Sequence, residues 1–596
     1  MCGIFGINQS KDHNFIKKFI ELQNHRGPDS KNFYLNNKVT LIHNRLSILD
    51  LQYGDQPMIY NGKVIVYNGE IFNSPTIRKN LEKIGYSFKT KNSDTEVLLK
   101  LYDYKGAEML NELNGMFAFV IYDIKKNILF GAVDQFSNKP LYYSLAGDNF
   151  AFSSEIKPLL KLKQIDNELC FNSINKYFQL QYIPFGDTIY KNINKLNNSN
   201  YFEYNLNSKK IDIQKYSKKI HKVEFNSYKD IIIAGRNALE QSVKNWSLSD
   251  VPIIFSLSGG LDSSLISSIY SNISKKRIET VTVGFDDVNK DQDERSFAKI
   301  ISKNINSLHH EIVINSNNFL KDMDVIFENL CEPYAGSLAS WYVYKNLSNK
   351  KVIFTGTGAD ELFGNYGKWK NYLLSDFFIK NIHKNLFSQN LKNIKYFYGY
   401  MYKKIFYENE LNKLILKNQN YSNDLNLIIH SLVQNKKFDP KKNIQEIDFN
   451  LQLPWEFLYI TDRLSMLNSI EARTPFLDDE MINYIKNVPS EYLSKMTNSK
   501  ILLKDIARKY IPDEIINRKK KGFVLPKETW LKKELKNQLI YFASKEFLSK
   551  QEIFSYSYLD NLLKKFFSSN KNINLTEKTW TFFIFQFWYE KNVFNR

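Results

Sequence analysis

Short apolar runs separated by turn residues fill the first 205 residues of the chain. The segments 63–67 and 116–122 combine β-branched and aromatic residues in a manner typical of strands. A helical pattern is confined to stretches such as 74–84 and 95–104, and a Ser-Asp pair precedes the second stretch as a cap. Many strands with few helices predict an α+β domain of packed sheets.

The second half of the chain alternates strand and helix patterns. Apolar runs at 251–257, 279–285 and 351–355 suit buried parallel strands, and a helical stretch at 265–269 follows the first run. A polar, lysine-rich segment separates this half from the first. We therefore expect a first domain over 1–205, a linker over 206–230, and an α/β domain with a parallel sheet and helical additions over 231–596.

Length and composition limit the classes of protein that fit. A chain of 596 residues exceeds one hydrophobic core and predicts about 2 to 4 domains. No apolar run is long enough to span a bilayer, and the N-terminus lacks the basic-then-apolar order of a secretory signal. Cys2, Cys170 and Cys331 lie too far apart for metal-ligand spacing and form no paired framework. These features predict a cytoplasmic protein.

The net charge of +19 raises the alternative of a nucleic-acid binder. The lysines, however, are scattered through a background rich in Asn and Ile, with only short runs such as 518–521. A recognisable DNA- or RNA-binding motif is absent from the sequence. The excess charge therefore indicates solvated surfaces, and no nucleic-acid partner is expected.

Cys2 is a candidate nucleophile. Removal of the initiator methionine would leave it with both a thiol and a free α-amine. The amine can accept the thiol proton, because their usual pKa values of about 8 and about 8.5 are close, and the thiolate can then attack an amide carbon. The alternative is a small buried residue in an N-terminal strand.

Four polar clusters interrupt the predicted strands. Each has a structural alternative, because Asn68-Gly69 is a strong hairpin signal and Ser93-Asp94 could do no more than cap a helix. Charged or amide groups stand beside turn residues in all four clusters, which are His25–Asp29, Asn44–Ile48, Tyr67–Glu70 and Ser93–Glu96.

Together with Cys2, the order of these clusters resembles the glutaminase domain of class II glutamine amidotransferases. These are N-terminal-nucleophile hydrolases with a four-layer αββα fold. The resemblance covers about the first 200 residues and includes Gly54–Met58 and Lys139–Tyr143. It implies that Cys2 attacks the side-chain amide of glutamine, while Asn68 and the backbone N–H of Gly69 hold the oxyanion.

The same resemblance assigns the residues that bind the amino-acid end of glutamine. Arg45 would pair with the α-carboxylate, since a planar guanidinium forms bidentate bonds. Glu70 and Asp94 would bind the α-ammonium group. The other expected glutamine-binding residues follow Arg45 and are Leu46, Ser47, Ile48 and Leu49.

One stretch departs from the family pattern. An Asp-Arg-x-Gly sequence is more usual where this chain has Asp134-Gln135-Phe136-Ser137-Asn138. Asparagine tolerates positive φ, so we expect Asn138 to keep the glycine turn.

The predicted strand over 251–257 leads into the sequence Ser-Gly-Gly-Leu-Asp-Ser-Ser at 258–264, which a helix follows. Glycine N–H groups, serine hydroxyls and a helix N-terminus suit a phosphate group, and parallel sheets bind ligands at this end of their strands. The alternative is an ordinary strand-to-helix turn. The sequence is not a Walker motif, which needs Gly-Lys-Ser/Thr.

This loop resembles the pyrophosphate loop of ATP pyrophosphatases, which adenylate carboxyl or carbonyl groups. The resemblance implies Mg–ATP, with Asp262 and Asp360 as carboxylate ligands of Mg²⁺ and Val283 near the adenine. The expected ATP-binding residues are Ser256, Ser258, Gly259, Gly260, Leu261, Asp262, Ser263, Ser264, Val283, Thr355 and Gly356.

Later motifs at 463–466, 469–478 and 518–523 complete a resemblance to the glutamine-hydrolysing asparagine synthetase family, which spans nearly the whole chain. It implies that ammonia from glutamine crosses an apolar tunnel to L-aspartate adenylated by ATP, giving asparagine, glutamate, AMP and pyrophosphate. Lys520 would stabilise charge on the adenylated acceptor, whereas Lys519 and Lys521 fit a solvated basic loop.

Two departures leave the acceptor open. Thr357 stands where the family usually has an acidic residue, and Cys331 replaces the first residue of an Asp-Glu-Pro sequence. A threonine hydroxyl cannot act as a general base, so the alternative acceptor is another carboxylate, such as a sugar uronate of a surface polysaccharide. The expected partners are glutamine, ATP and one of these acids, with a homodimer left open and with no nucleic acid and no membrane.

Overall fold

The computed structural model describes residues 2–285, 294–314, 316–347, 349–364, 404–416, 424–433, 439–495, 498–518 and 525–594. Lys520, expected to stabilise charge on the acceptor, lies outside the described residues together with Lys519 and Lys521.

Two six-stranded antiparallel sheets form the first domain. One has the strand order β10-β8-β9-β1-β3-β2 and the other β12-β11-β7-β6-β5-β4. The strands are β1 Gly3–Ile7, β2 Ser30–Leu35, β3 Thr40–Arg45, β4 Met58–Tyr60, β5 Lys63–Ile71, β6 Gly115–Asp123, β7 Ile128–Val133, β8 Tyr142–Ala146, β9 Asn149–Ser153, β10 Asn194–Lys195, β11 Asn200–Asn205 and β12 Lys210–Lys215.

Alternating side chains along β5 explain the layers. Val64 and Val66 pack with Ile4 of the other sheet, whereas Ile65 and Tyr67 pack against helices on the outer face. Helices α2 and α3 cover this sheet, and α1 and α4 cover the other. The arrangement confirms the αββα class. The helices of this domain are α1 His13–Leu22, α2 Ser74–Lys83, α3 Asp94–Lys105, α4 Ile156–Leu160 and α5 Phe171–Leu180.

The structure rejects the hairpin alternative for Asn68-Gly69. Both residues lie inside β5, where they pair with Ala118 and Phe117 of β6. Ser93 does occupy the N-cap position of α3, but its side chain makes no capping hydrogen bond.

The expectation that Asn138 has positive φ is wrong. Ser137 takes that conformation instead, with φ of 51°. The cause is Asp134, whose carboxylate accepts hydrogen bonds from the backbone N–H groups of Phe136, Asn138 and Lys139 and so fixes the turn.

The segment expected as a linker contains regular structure at both ends. Strand β12 pairs with β11 and extends the second sheet of the first domain. Helix α6 begins at Tyr228 with Ser227 as its N-cap, and the Ser227 hydroxyl accepts from the N–H of Asp230.

A five-stranded parallel sheet with the order β15-β14-β13-β16-β17 forms the centre of the second domain and confirms the α/β class. The three predicted strands are present, and β15 and β17 are additions that the apolar pattern did not indicate. The strands are β13 Ile253–Ser256, β14 Glu279–Phe285, β15 Leu308–Ile314, β16 Val352–Phe354 and β17 Glu471–Arg473. The helices associated with the sheet are α6 Tyr228–Trp246, α7 Leu261–Ser274, α8 Arg295–Asn304, α9 Ser316–Leu330, α10 Ser340–Lys345 and α11 Ala359–Phe363.

Helical additions make up most of the remaining described chain. None of the described helices combines the length and the apolar character needed to cross a bilayer. The α-helices are Glu408–Leu414, Asp424–Ser431, Pro440–Ile447, Tyr459–Met466, Asp479–Asn487, Ile501–Ala507, Asp513–Ile516, Lys527–Lys532, Lys536–Phe542, Lys545–Gln551, Tyr556–Ser568 and Ile573–Tyr589. The π-helices are Asp448–Leu458 and Glu590–Phe594, and short 3₁₀ turns occur at Gly106–Asn111, Pro475–Leu477 and Ser490–Tyr492.

A buried apolar cluster joins the two domains around Phe72 and Trp246. The rings of Phe72 and Trp246, one from each domain, lie 4.4 Å apart between centroids. The cluster joins side chains from the loop after β3 to side chains of β16 and its neighbours, and we call it the interdomain cluster. Its members include Leu46, Ile48, Phe72, Met116, Phe136, Trp246, Phe354, Ala359, Phe449, Phe476 and Leu477.

Candidate active sites

Cys2 precedes β1 and is buried. Its backbone nitrogen donates to Oδ1 of Asn68 at 2.9 Å, and its carbonyl oxygen accepts from Nε of Arg26 at 3.1 Å. Burial raises the pKa of the thiol, so the thiol needs a base before it can attack. The α-amine that removal of the initiator methionine would expose is the nitrogen that Asn68 already holds.

Asn68 presents a hydrogen-bond donor beside the nucleophile. Because Oδ1 accepts from the Cys2 N–H, the orientation of the amide is fixed and Nδ2 must be the other end. Nδ2 is buried and has no hydrogen-bond partner among the described residues. Buried donors are almost always paired, so this one is available to a ligand atom.

Gly69 follows Asn68 directly in β5, so its backbone N–H is the next donor along the strand. A Cβ at this position would lie 2.1 Å from the carbonyl oxygen of Met116, and the φ angle is 154°. Glycine is therefore required sterically within β5, and the backbone approaches β6 closely there.

Arg45 organises the loop that follows β3. Its Nη2 donates to the carbonyl oxygens of Leu49 and Asp50 at 3.1 and 2.7 Å, and its Nη1 donates to Oδ1 of Asp55 at 2.8 Å. The Arg45 charge also acts on Cys2, where it lowers the thiol pKa against the larger effect of burial. This loop contains the other expected glutamine-binding residues.

The same loop contacts the second domain. The backbone N–H of Ser47 donates to Oδ2 of Asp29 at 2.6 Å, and that oxygen lies 2.7 Å from Nζ of Lys351. Ile48 and Leu46 are buried in the interdomain cluster. Residues expected to bind glutamine thus also form part of the domain interface.

Two buried carboxylates lie near Asn68 and Gly69: Glu70 follows them in the chain, and Asp94 contacts the same strand. Oδ2 of Asp94 accepts from the Tyr67 hydroxyl at 2.8 Å and from the Ile71 N–H at 3.0 Å, and burial raises the Asp94 pKa to about 6. Burial and the charges of Asp94 and Glu471 raise the pKa of Glu70 well above its usual value. Concentrated negative charge of this kind favours a bound ammonium group.

Sequence reasoning missed the contribution of β17 to this first site. Nη2 of Arg473 lies 3.9 Å from Oε1 of Glu70, and its Nε lies 2.5 Å from Oε1 of Glu471. Both β17 residues are fully buried. The motif at 469–478 was visible, but spacing along the chain gives no sign that it reaches the first domain.

The phosphate-type loop lies at the end of β13, as predicted. Gly259 has φ of 66°, and a Cβ there would lie 2.6 Å from the backbone nitrogen of Ala298 in α8. The hydroxyls of Ser258 and Ser263 lie 3.0 Å apart, and the Gly260 N–H donates to Oγ of Ser258 at 3.3 Å. Ser264 Oγ is buried without a hydrogen-bond partner among the described residues.

Asp262 and Asp360 converge on one cation. Nζ of Lys500 lies 2.6 Å from a carboxylate oxygen of each, and these carboxylates raise the Lys500 pKa although burial acts to lower it. Carboxylate oxygens gathered around one positive group fit Mg²⁺, which takes one or two carboxylates and completes its ligands with phosphates. Within the described ranges no cluster of three or more metal-ligating side chains occurs. Lys500 was not predicted.

The loop after β16 packs against the phosphate-type loop. A Cβ at Gly356 would lie 2.8 Å from the Ser263 backbone nitrogen, which explains the glycine. The Thr355 hydroxyl donates to Oγ1 of Thr357 at 3.2 Å. Val283 is half-buried in β14, on the other side of β13.

These features define a two-domain class: an αββα domain with a cysteine at its amino end, joined to a parallel-sheet domain with a phosphate-type loop. The glutamine amidotransferase domain model matches residues 1–217, and the asparagine synthase model matches residues 234–590. The chain belongs to the asparagine synthase family, whose members are ATP-dependent, glutamine-hydrolysing ligases. The expectation of an enzyme of this class is confirmed.

Similar proteins match over most of the chain. Glutamine-hydrolyzing asparagine synthetase 1 of Bacillus subtilis (strain 168) is 28% identical and covers 100% of this chain and 98% of the relative. A putative glutamine-hydrolyzing asparagine synthetase 2 of Methanocaldococcus jannaschii is 34% identical over 64% of this chain and 78% of the relative. The structure of the allosteric regulatory enzyme of purine biosynthesis has a TM-score of 0.29 at 15% identity, covering 53% of this chain and 80% of that one.

Proposed function

We propose that the chain transfers the amide nitrogen of glutamine to the side-chain carboxylate of L-aspartate, with cleavage of ATP to AMP and pyrophosphate. The observation that carries the proposal is the Asn68 amide, which holds the Cys2 nitrogen with one end and leaves a buried donor free at the other. The names of the relatives support aspartate as acceptor.

The first half-reaction takes place at Cys2. The α-amine takes the thiol proton, and the thiolate attacks the side-chain amide carbon of glutamine. Asn68 Nδ2 and the Gly69 N–H stabilise the oxyanion of the tetrahedral intermediate. The C–N bond then breaks, the amine returns a proton to the leaving nitrogen as ammonia departs, and water hydrolyses the thioester to glutamate.

Charges at the amino-acid end of glutamine orient it for attack. Glu70 and Asp94 bind the α-ammonium, and Arg45 binds the α-carboxylate. The neighbouring segment 46–49 closes the site against the second domain, because Lys351 donates to Asp29 and to the Ser47 carbonyl oxygen.

Ammonia crosses to the second domain through the interdomain cluster. The cluster begins with Leu46, two residues before Ile48 in the loop beside Cys2, and continues to Phe354 and Ala359 on either side of the β16 loop. An apolar path keeps ammonia unprotonated, because the charged ammonium form is disfavoured away from water.

The second half-reaction takes place at the end of the parallel sheet. The acceptor carboxylate attacks the α-phosphorus of ATP and pyrophosphate leaves; ammonia then attacks the acyl carbon and AMP leaves. Asp262 and Asp360 would hold Mg²⁺, which neutralises charge on the phosphate tail. Ser258–Ser264 binds the pyrophosphate portion, and Lys520 stabilises charge on the adenylated acceptor.

The acceptor is tested by pyrophosphate release with glutamine, Mg–ATP and a panel of carboxylic acids. We expect release with L-aspartate. Release with a sugar uronate and none with aspartate would overturn the aspartate assignment and favour the alternative acceptor, since Thr357 offers a hydroxyl in place of a carboxylate.

The surroundings of the enzyme follow from its chemistry. Cys2, Cys170 and Cys331 form no disulfide in the part of the chain that the structure describes, which fits a reducing cytoplasm. Glutamine, Mg–ATP and the acceptor acid are its proposed partners, and a homodimer is part of the proposal.

A further inference from the structure

Arg518 lies beside the phosphate-type loop, and two of its three guanidinium nitrogens have no hydrogen-bond partner among the described residues. Its Nη2 lies 2.8 Å from Oε1 of Glu294. Nε and Nη1 are buried and have no hydrogen-bond partner among the described residues, and the side chain as a whole is 8% exposed. Nε carries one N–H and Nη1 carries two, so three buried donors of this side chain have no acceptor in the part of the protein that the structure describes.

Contacts on two sides fix the position of the Arg518 guanidinium. The guanidinium carbon lies 4.6 Å from the centre of the Phe297 ring, and Phe297 belongs to the first turn of α8, against which Gly259 packs. A Cβ at Gly260 would lie 3.6 Å from Nη2 of Arg518. The guanidinium is therefore held within contact distance of the loop that binds phosphate in the proposed function.

Charge at the loop calls for a further cation. The ammonium of Lys500 is already shared by Asp262 and Asp360, so it leaves no surplus positive charge for the polyphosphate. Glu294 occupies only one of the three guanidinium nitrogens of Arg518 by direct contact. The donors that remain on Arg518 can form charge-assisted hydrogen bonds to phosphate oxygens.

We propose that Arg518 binds the phosphate tail of ATP, and the pyrophosphate product, through the guanidinium donors that Glu294 leaves unoccupied. Glu294 is a positioning residue that holds the guanidinium beside Gly260. The inference rests on the proposed function, because it takes the loop at 258–264 to be the ATP site. It adds a ligand from a segment whose sequence motif gave no role for this residue.

The test measures inhibition by inorganic pyrophosphate and the KM for ATP in the full-length enzyme carrying Arg518→Lys or Arg518→Met. Because such charge-assisted hydrogen bonds are lost, we expect Arg518→Met to raise the pyrophosphate inhibition constant and the KM for ATP by about 10- to 100-fold. Arg518→Lys keeps the positive charge but lacks the planar set of guanidinium donors, so we expect a smaller increase in both constants. Glutamine hydrolysis at Cys2 should stay at the wild-type rate in both variants.

Arg508→Met is the matched control, because Arg508 pairs with Asp505 and Asp513 on the surface ten residues earlier in the chain. Glu294→Gln is the second variant, and it should raise the KM for ATP with little change in kcat. Unchanged pyrophosphate inhibition and KM in Arg518→Met would overturn the role of Arg518. If pyrophosphate does not inhibit the wild-type enzyme at all, the proposed ATP site fails and the inference fails with it.

Discussion

The backbone carbonyl of Arg473 accepts a hydrogen bond of 2.9 Å from the backbone N–H of Thr355. Thr355 belongs to the loop proposed to bind ATP, while the guanidinium of Arg473 lies 3.9 Å from Glu70 at the proposed glutamine site. One residue of β17 therefore touches parts of both sites. Its side chain also donates to the carbonyl oxygens of Trp246 and Leu248, at 2.6 and 2.7 Å.

Replacement of Arg473 by Lys should destabilise the fold and weaken glutamine binding together. The lysine cannot serve Glu471 and the two carbonyl groups at once, and loss of a buried pair costs about 3–5 kcal/mol. Urea unfolding and the KM for glutamine measure the two effects. Lys218→Ala is the control: it removes the more exposed interdomain pair with Asp479, which is worth about 0–1 kcal/mol. Equal stability of the two variants would contradict the buried-network account.

Asn68→Asp tests the oxyanion role. The aspartate retains an acceptor for the Cys2 nitrogen but loses the Nδ2 donor. Loss of one oxyanion donor lowers kcat by about 10²–10³, and we expect glutamine hydrolysis to fall by this factor with a smaller change in KM. Thermal unfolding of the variant provides the folding control. Wild-type kcat in a correctly folded variant would rule out Asn68 as the donor.

Asp94 predicts a pH-dependent stability effect. Its folded pKa of about 6 lies above the usual 3.8, so the folded state binds the proton more tightly and the ionised carboxylate destabilises the fold progressively as pH rises through this window. Asp94→Asn should therefore stabilise the protein more at pH 7 than at pH 4.5, by about 1–3 kcal/mol in the difference.

The same variant should bind glutamine more weakly, because it lacks the charge that faces the α-ammonium group. Urea unfolding at the two pH values and the KM for glutamine give both readouts. A stability change that is the same at both pH values would contradict the raised pKa, and an unchanged KM would remove Asp94 from the glutamine site.

Lys500→Met tests whether the Asp262 and Asp360 pair is a cation site. Without the buried ammonium the two half-buried carboxylates repel each other, so the free energy of unfolding should fall by up to about 3–5 kcal/mol in the absence of divalent ions. Added Mg²⁺ should recover part of this loss. Lys504→Met should show neither effect, because Lys504 lies one turn further along the chain and donates to Asn498. No response of the Lys500 variant to Mg²⁺ would contradict the metal assignment.

Sequence patterns predicted those parts of the molecule that depend on local periodicity. The β-branched and aromatic residues of β5 and the apolar run of β13 indicated the two sheet classes, and the motifs at Asn68 and at 258–264 indicated the two sites. The structure departs from these expectations where long-range contacts decide. The Asp134 carboxylate accepts hydrogen bonds from the backbone N–H groups of Phe136 and Asn138, and this turn places the positive φ at Ser137. Propensity scales do not include such side-chain contacts.

The residues that sequence reasoning missed are those brought in from distant segments. Arg473 reaches Glu70 because the short strand β17 lies at the edge of the five-stranded parallel sheet, beside the first domain. Lys500 reaches Asp262 from the N-cap position of helix Ile501–Ala507, more than two hundred positions later in the chain. The partners of both residues depend on how distant segments pack, which local sequence patterns do not show.

The central claim is that two separate sites are joined by ammonia transfer, and Cys2→Ala tests it most directly. Pyrophosphate release is measured with Mg–ATP and the acceptor acid, once with glutamine and once with an ammonium salt as nitrogen source. We predict loss of the glutamine-dependent reaction and wild-type activity with ammonium, because Cys2 takes no part in the second half-reaction. Equal loss of both reactions, or glutamine-dependent turnover without the thiol, would contradict the account.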